Sequence, residues 1–113
     1  MLYISLEDFF EKTAALSQMS REEEILCAQR MQNGDAQARE SLIRSYLPMT
    51  ASCVRRAPAY LQDLTLVLRC QQTLEKAVDS FNFLQDSETF AHRLSWHLRQ
   101  TVTDHIARLR SKY

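Results

Sequence analysis

At 113 residues the chain has the size of one domain, spanning 1–113, and is long enough to bury a core without disulfide or metal staples. Its 45% hydrophobic and 25% charged residues exclude a disordered chain, and a single glycine with two prolines argues against a hairpin-rich sheet and against a glycine-rich phosphate loop. The 14 basic and 14 acidic residues cancel, so no field of one sign covers the whole molecule.

Taken in chain order, the segments read as helices. Ser5 caps a first helix expected over Leu6 to Leu16, with Phe9, Phe10 and Leu16 as its apolar contacts. Ser20-Arg21-Glu22-Glu23 opens a second: the hydroxyl accepts from the third backbone N–H, Glu23 reaches back to the cap, and Glu22, Glu23 and Glu24 suit the positive end of the helix dipole. Ile25, Ala28 and Met31 follow at helical spacing. Asn33-Gly34-Asp35 stops that helix and caps the next. Ala38, Leu42, Ile43 and Tyr46 form the stripe of a third helix, which Pro48 bends or breaks near Leu47 before helix resumes to about Arg56. Ala57-Pro58-Ala59 ends it. A fourth helix is expected from Asp63 to Phe83, with Val67, Cys70, Leu74, Ala77, Val78 and Phe81 recurring at steps of three and four. The run Leu64 to Leu68 is apolar nearly all round, which predicts a central position for the start of this helix.

The last helix, from Ser87 or Glu88 to Leu109, is the most informative. With Phe90 at zero and about 100° per residue, Leu94, Leu98, Val102, Ile106 and Leu109 fall in one arc centred about 80° round, while Trp96 falls about 240° round. His92, Arg99, Gln100, Thr103 and Arg110 share the tryptophan's side. An indole on the polar face is either a recognition residue or one that packs under a neighbouring helix; periodicity leaves both open. The fold class expected is all-α, a compact bundle of about five helices.

Charge is uneven along the chain. Residues 1–40 carry eight acids and four bases, whereas residues 91–113 carry Arg93, Arg99, Arg108, Arg110 and Lys112 against Asp104 alone. The basic tail is either a surface for a polyanion or a helix end that complements its own dipole. Cys27, Cys53 and Cys70 lie in helical segments among apolar neighbours at no metal or redox spacing, which reads as buried free thiols in a reducing cytoplasm. Of His92, His97 and His105, the last two are eight apart and could share a broad face, but no carboxylate or cysteine stands at ligand spacing near them, so no metal site is expected and the histidines read as surface or partly buried. Asp79 and Asp86 have no evident paired base, and no Ser or Cys has an activating context. The expectation is a binding domain, with no catalytic residues and no cofactor. Neither a leader nor an apolar span of membrane length is seen, so the expected location is cytoplasmic.

The order of these segments resembles regions 1.2 and 2 of bacterial RNA polymerase sigma factors. From Leu16 onward, Ser20-Arg21-Glu22-Glu23-Glu24, Asn33-Gly34-Asp35, Ala38-Arg39 and Leu42-Ile43 resemble the family's Thr/Ser-x-Glu-Glu-Glu, Gly-Asp-x-x-Ala-Arg and Leu-Ile series. Tyr46-Leu47-Pro48 resembles the form found in the smaller, extracytoplasmic-type members. Lys76-Ala77-Val78 with Phe81 resembles the Arg-Ala-Val…Phe that ends the polymerase-binding helix. Trp96, Arg99-Gln100 and Thr103 resemble the Trp-Trp-Ile-Arg-Gln-Ala-Ile-Thr of the promoter-reading helix.

The resemblance implies a sigma region 2-like bundle that contacts the clamp helices of the polymerase large subunit and the non-template strand of the −10 promoter element. It implies DNA contacts from Arg93, Trp96, Arg99, Gln100 and Thr103, and polymerase contacts from Leu66, Arg69, Gln72 and Lys76. There are departures. His97 replaces the family's second Trp, Arg93 replaces the tyrosine that stacks on the flipped adenine, and Thr65-Leu66-Val67-Leu68-Arg69-Cys70 replaces Asp-Leu-Ile-Gln-Glu-Gly. The chain stops at Tyr113 without regions 3 and 4. The function implied is a sigma-like initiation protein, either stand-alone or paired with a partner that supplies the −35-binding region. The alternative is a degenerate interaction module that regulates transcription through polymerase, a second sigma factor or an anti-sigma protein without touching promoter DNA.

Overall fold

The computed structural model describes residues 3–84 and 88–111. Six α-helices make up the described chain: α1 (Leu6–Ala14), α2 (Arg21–Gln32), α3 (Ala36–Ser45), α4 (Leu47–Arg56), α5 (Leu64–Ser80) and α6 (Phe90–Arg110), with one 3-10 turn, Ala59–Leu61, between α4 and α5. There is no strand among the described residues. Counting α3 and α4 as one interrupted rod gives the five helices expected.

The helix starts follow from local chemistry. Ser5 Oγ accepts from Asp8 N–H at 3.0 Å. Ser20 and Glu23 form the reciprocal capping box, Ser20 Oγ accepting from Glu23 N–H at 3.2 Å and Glu23 Oε1 from Ser20 N–H at 3.3 Å. Asp35 Oδ1 accepts from the Gln37 and Ala38 amides. Such caps satisfy N–H groups that have no partner inside the helix, each for about 1 kcal/mol. Gly34, between α2 and α3, has φ +89°, the left-handed region that lets a helix terminate and the chain reverse. Pro48 lies in the first turn of α4, where its missing N–H costs nothing. The break therefore falls at Tyr46, just before the proline, and α4 begins at Leu47.

Three boundaries differ from expectation. The fourth helix stops at Ser80, because Phe81 turns to extended backbone with φ −82° and ψ 135°. The last begins at Phe90, capped by Thr89, whose hydroxyl accepts from His92 N–H; Glu88 precedes it, and Ser87 lies outside the described residues. α1 is likewise shorter, ending at Ala14.

One apolar core ties the bundle together. Phe9, Leu42, Leu47, Val54, Leu61, Leu66, Leu74, Val78, Leu94 and Leu98 are wholly or almost wholly buried. At about 1.5–3 kcal/mol per large apolar side chain this burial dominates the favourable side of folding. The hydroxyls of Thr13, Ser45 and Thr50 are also buried, and each donates back to a carbonyl of its own helix (Phe9, Leu42 and Tyr46). That removes the penalty of an unpaired polar group. Cys70 joins the core, and burial pushes its thiol up to about 12. Cys27 and Cys53 are only half-buried, which corrects the reading of all three as interior.

Two features fix the direction of α6. Tyr46, Phe81, Phe83 and Phe90 form an aromatic cluster with centroid distances of 4.7 to 5.3 Å between Tyr46–Phe90, Phe81–Phe83, Phe81–Phe90 and Phe83–Phe90, which clamps the start of α6. Farther along, α5 and α6 lie side by side, joined by a 2.6 Å hydroxyl–hydroxyl bond between Thr73 and Thr101 and by the Arg69–Asp104 ion pair at 3.2 Å. Near the end of α5, Arg39 of α3 grips Asp79 with two parallel hydrogen bonds of 2.6 and 2.9 Å. This pairing holds the Asp79 carboxyl below the usual carboxylate range.

Candidate nucleic-acid interface

α6 buries Leu94 and Leu98 against the bundle and half-buries Val102, Ile106 and Leu109, as its apolar arc requires. Its opposite face is open. Trp96 is 54% exposed, so the indole does not pack under a neighbouring helix; within the protein its ring meets that of His97 edge-on at 5.1 Å. Arg99, Gln100 and Thr103 are all exposed as well. Trp96, three and four residues from Arg99 and Gln100, stands on a ridge between two grooves.

One groove runs between α4 and α6, with a volume of about 480 Å³. Met49, Cys53, Leu98 and Val102 form its floor, and Arg56, Ser95, Arg99 and Thr103 its rim. Burial pushes the Cys53 thiol up, while Arg56 and Arg99 both act to pull it down, so two guanidinium charges converge on one thiol. The other groove, about 560 Å³, runs between α5 and α6 and holds Gln72, Thr73, Lys76, His97, Gln100 and Asp104 among its lining residues. Here Asp104 Oδ2 takes both Arg69 at 3.2 Å and Arg108 at 3.0 Å, and Lys76 adds a further cation.

The structure thus brings together Trp96, Arg99, Gln100 and Thr103, with Arg99 and Thr103 facing the α4 groove and Gln100 the α5 groove. Arg93 is different. Its guanidinium is ion-paired with Glu88 and lies 5.9 Å from the centre of the Phe81 ring, so it is held at the start of α6 and not offered as a free stacking surface. Glu88, just outside the quoted motif, is the reason.

The four residues assigned to polymerase contact do not share an outward face. Leu66 is 0% exposed, inside the core, and cannot touch a partner. The run Leu64–Leu68 is not central all round: α5 turns Leu66 and Val67 inward, while Leu68 is 58% exposed and Leu64 is also exposed. A nearly uniform apolar run carries no phase, which is why the sequence misplaced it. Arg69 turns to Asp104, and only Gln72 and Lys76 stay exposed, on the edge facing α6.

His105 is buried, 5% exposed, and is the other correction. It falls about 60° round on the same helical wheel, inside the apolar arc, so the position was readable. Arg56, Cys53 and Met49 were missed altogether. Their signal was the complete lack of acidic residues between Glu40 and Asp63, a stretch that holds Arg44, Arg55 and Arg56. Lys112 and Asp86 lie outside the described residues. Among the described residues no group of three or more His, Cys, Asp or Glu side chains is placed to hold a metal, and no helix is long and apolar enough to cross a membrane.

No protein-family model matches the chain. Over 90 residues, 79% of its length, the chain is 36% identical to the RNA polymerase sigma factor SigA of Clostridium acetobutylicum. That stretch is 24% of the relative, so the chain spans about a quarter of the length of the protein it matches. With its all-helical architecture, this likeness marks the chain as carrying a sigma-factor-like region over most of its length.

Proposed function

We propose that the chain is a sigma-like transcription initiation protein that docks on the RNA polymerase core and takes the non-template strand of a −10-type element on the outer face of α6. The observation that carries this reading is the exposure of Trp96 beside Arg99, Gln100 and Thr103. A water-facing indole is poorly placed for stability, but it offers a stacking plane worth about 1–3 kcal/mol per base. Glutamine pairs in bidentate fashion with adenine, and arginine with phosphate or guanine. The polymerase core enters through the likeness to a sigma factor.

Trp96 is the sole tryptophan of the chain, so its fluorescence reports contact directly. We expect a single strand of −10-type sequence to quench it, more strongly at low salt than at high. We expect Trp96→Ala to weaken binding, followed by anisotropy of a labelled strand, by about 5- to 150-fold, while unfolding free energy shifts by less than about 1 kcal/mol. Absence of any affinity at low salt removes the reading, because ionic contacts are strongest there.

A specific observation favours the second reading, a protein-interaction module that leaves promoter DNA alone. Tyr60, 73% exposed, and Leu68 stand outward around the start of α5 beside Leu64, and apolar side chains clustered on a surface mark protein contacts. A chain that bound polymerase core yet left Trp96 fluorescence unchanged by DNA would support this reading over the first.

A further inference from the structure

α5 sorts its charges by side. Its two acids, Glu75 and Asp79, both act on Arg39 of α3: Asp79 through paired hydrogen bonds and Glu75 through the field that helps keep that guanidinium charged. Its two cations, Arg69 and Lys76, line the groove toward α6. α6 adds a third cation, Arg108, and Asp104, the one acid that lines the groove among the described residues. Three cations therefore stand against one carboxylate. Asp104 is taken up by Arg69 and Arg108 at one end. Lys76 stands seven residues from Arg69, about 10 Å farther along the groove at 1.5 Å per helical residue. Among the described residues it has no carboxylate within ion-pair distance.

The rest of the lining narrows the ligand. Gln72 and Gln100 add amide donors, Ser80 a hydroxyl and His97 an imidazole, and Ala77 is the sole aliphatic lining residue among those described. A nucleobase or an acyl chain needs an apolar or aromatic bed, and this groove supplies no such floor. What it offers is polar donors between two separated centres of positive charge. Such spacing favours an extended anion charged along its length over a small one that reaches a single centre. Phosphate oxygens suit both ends, because a guanidinium takes them in bidentate pairs and an ammonium takes them as a point charge. Asp104 is no obstacle: its side chain is half-exposed, and exposed ion pairs are weak. An anion of higher charge outcompetes it for the two arginines and leaves the carboxylate to water.

We propose that the α5–α6 groove is a binding site for a linear triphosphate-type polyanion, with one end on Lys76, Gln72 and Gln100 and the other on Arg69 and Arg108. The site lies on the flank of α6 away from the α4 groove, and it does not depend on the DNA-binding reading. Recognition is of the phosphate chain, so free tripolyphosphate and the chain of a nucleoside 5′-triphosphate are equivalent ligands.

The test is a titration of the whole chain with sodium tripolyphosphate at low salt and without divalent cations, read by calorimetry and by Trp96 fluorescence. The fluorescence is informative because His97 lines the groove and meets the indole edge-on. We expect saturable binding, with orthophosphate at least about tenfold weaker because it reaches one end only. Lys76→Gln and Arg108→Gln should each weaken tripolyphosphate binding about fivefold, the loss of one charge-assisted contact. Asp104→Asn should strengthen it about two- to fivefold by freeing both arginines. Arg30→Gln, on α2, should change nothing. Unfolding curves of the Lys76 and Arg108 variants should overlay the parent, since both side chains are exposed. ATP should match tripolyphosphate within about twofold, since its base finds no stacking surface; an affinity more than tenfold higher would overturn recognition of the chain alone. Absence of saturable binding, or orthophosphate binding as tightly as tripolyphosphate, removes the site. If Lys76→Gln leaves tripolyphosphate affinity intact but weakens binding of duplex DNA, the groove serves a nucleic-acid backbone and the assignment is overturned.

Discussion

The two grooves beside α6 are of similar size, share one wall and are both lined by cations, yet they differ in how those cations are held. Toward α5, hydroxyl meets hydroxyl at Thr73–Thr101 and Asp104 pairs with Arg69 and Arg108 together; these polar groups hold two antiparallel helices side by side. Toward α4, the floor is apolar and neither arginine has a carboxylate partner among the described residues. The α4–α6 wall is held by Leu98 packing and not by polar bonds. A helix can therefore be fixed on one flank by internal pairing and left open on the other, with Trp96 at the boundary. The difference cannot be read from the charge of α6 itself, because Arg99 and Arg108 both belong to it. It depends on what the neighbouring helix places opposite each.

The comparison breaks most severely at Leu98, which is almost wholly buried and floors the α4 groove. Leu98→Ala should cost about 2–5 kcal/mol in urea unfolding, and the open groove should deform while the Thr73–Thr101 side keeps its polar links. A cost below about 1 kcal/mol would mean that this wall does not depend on the leucine. The contrast is sharpened by Asp104→Asn. Asp104 is half-exposed and its ion pairs lie at the surface, so the loss of stability should stay below about 1 kcal/mol. Arg69 and Arg108 would be released, and single-strand affinity at low salt should rise about two- to fivefold as the α5 groove, already lined by Lys76, becomes more strongly cationic. Unchanged affinity would show that the strand never approaches that side. The smallest effect is at Cys53. Burial holds its thiol up and Arg56 and Arg99 pull it down, so removing both guanidiniums should raise it further. Below that value the thiolate is the minor, reactive form. Alkylation of Cys53 at neutral pH should accordingly slow in Arg56→Gln/Arg99→Gln, with the difference vanishing at a pH above both thiol values.

How far the sequence reaches depends on the range of the interaction. Ser5, the Ser20–Glu23 box, Gly34 and Asp35 act within four residues of themselves, and each cap appears where local chemistry places it. The phase of α6 was also legible, since its apolar arc is clean and Trp96 stands clear of it. The same wheel holds the burial of His105. Leu66 was not legible, because neighbours of equal hydropathy give no direction. Arg93 was lost through Glu88, an ion pair across the helix start that no motif records. The facing of Arg56 and Arg99 joins residues on helices distant in the chain, and only packing creates it.

Gly34 carries a consequence of another kind. No heavy atom lies within 4 Å of where a Cβ would stand, so the position has room for a side chain. Its torsion at +89° nevertheless excludes most of them. The elbow joining α2 to α3 is therefore kept by backbone preference and not by crowding. Through that elbow α2 returns to meet α3, where Glu24 accepts the Tyr46 hydroxyl at 2.8 Å. Elsewhere the fold is secured by side chains filling space; at this hinge it is secured by the absence of one.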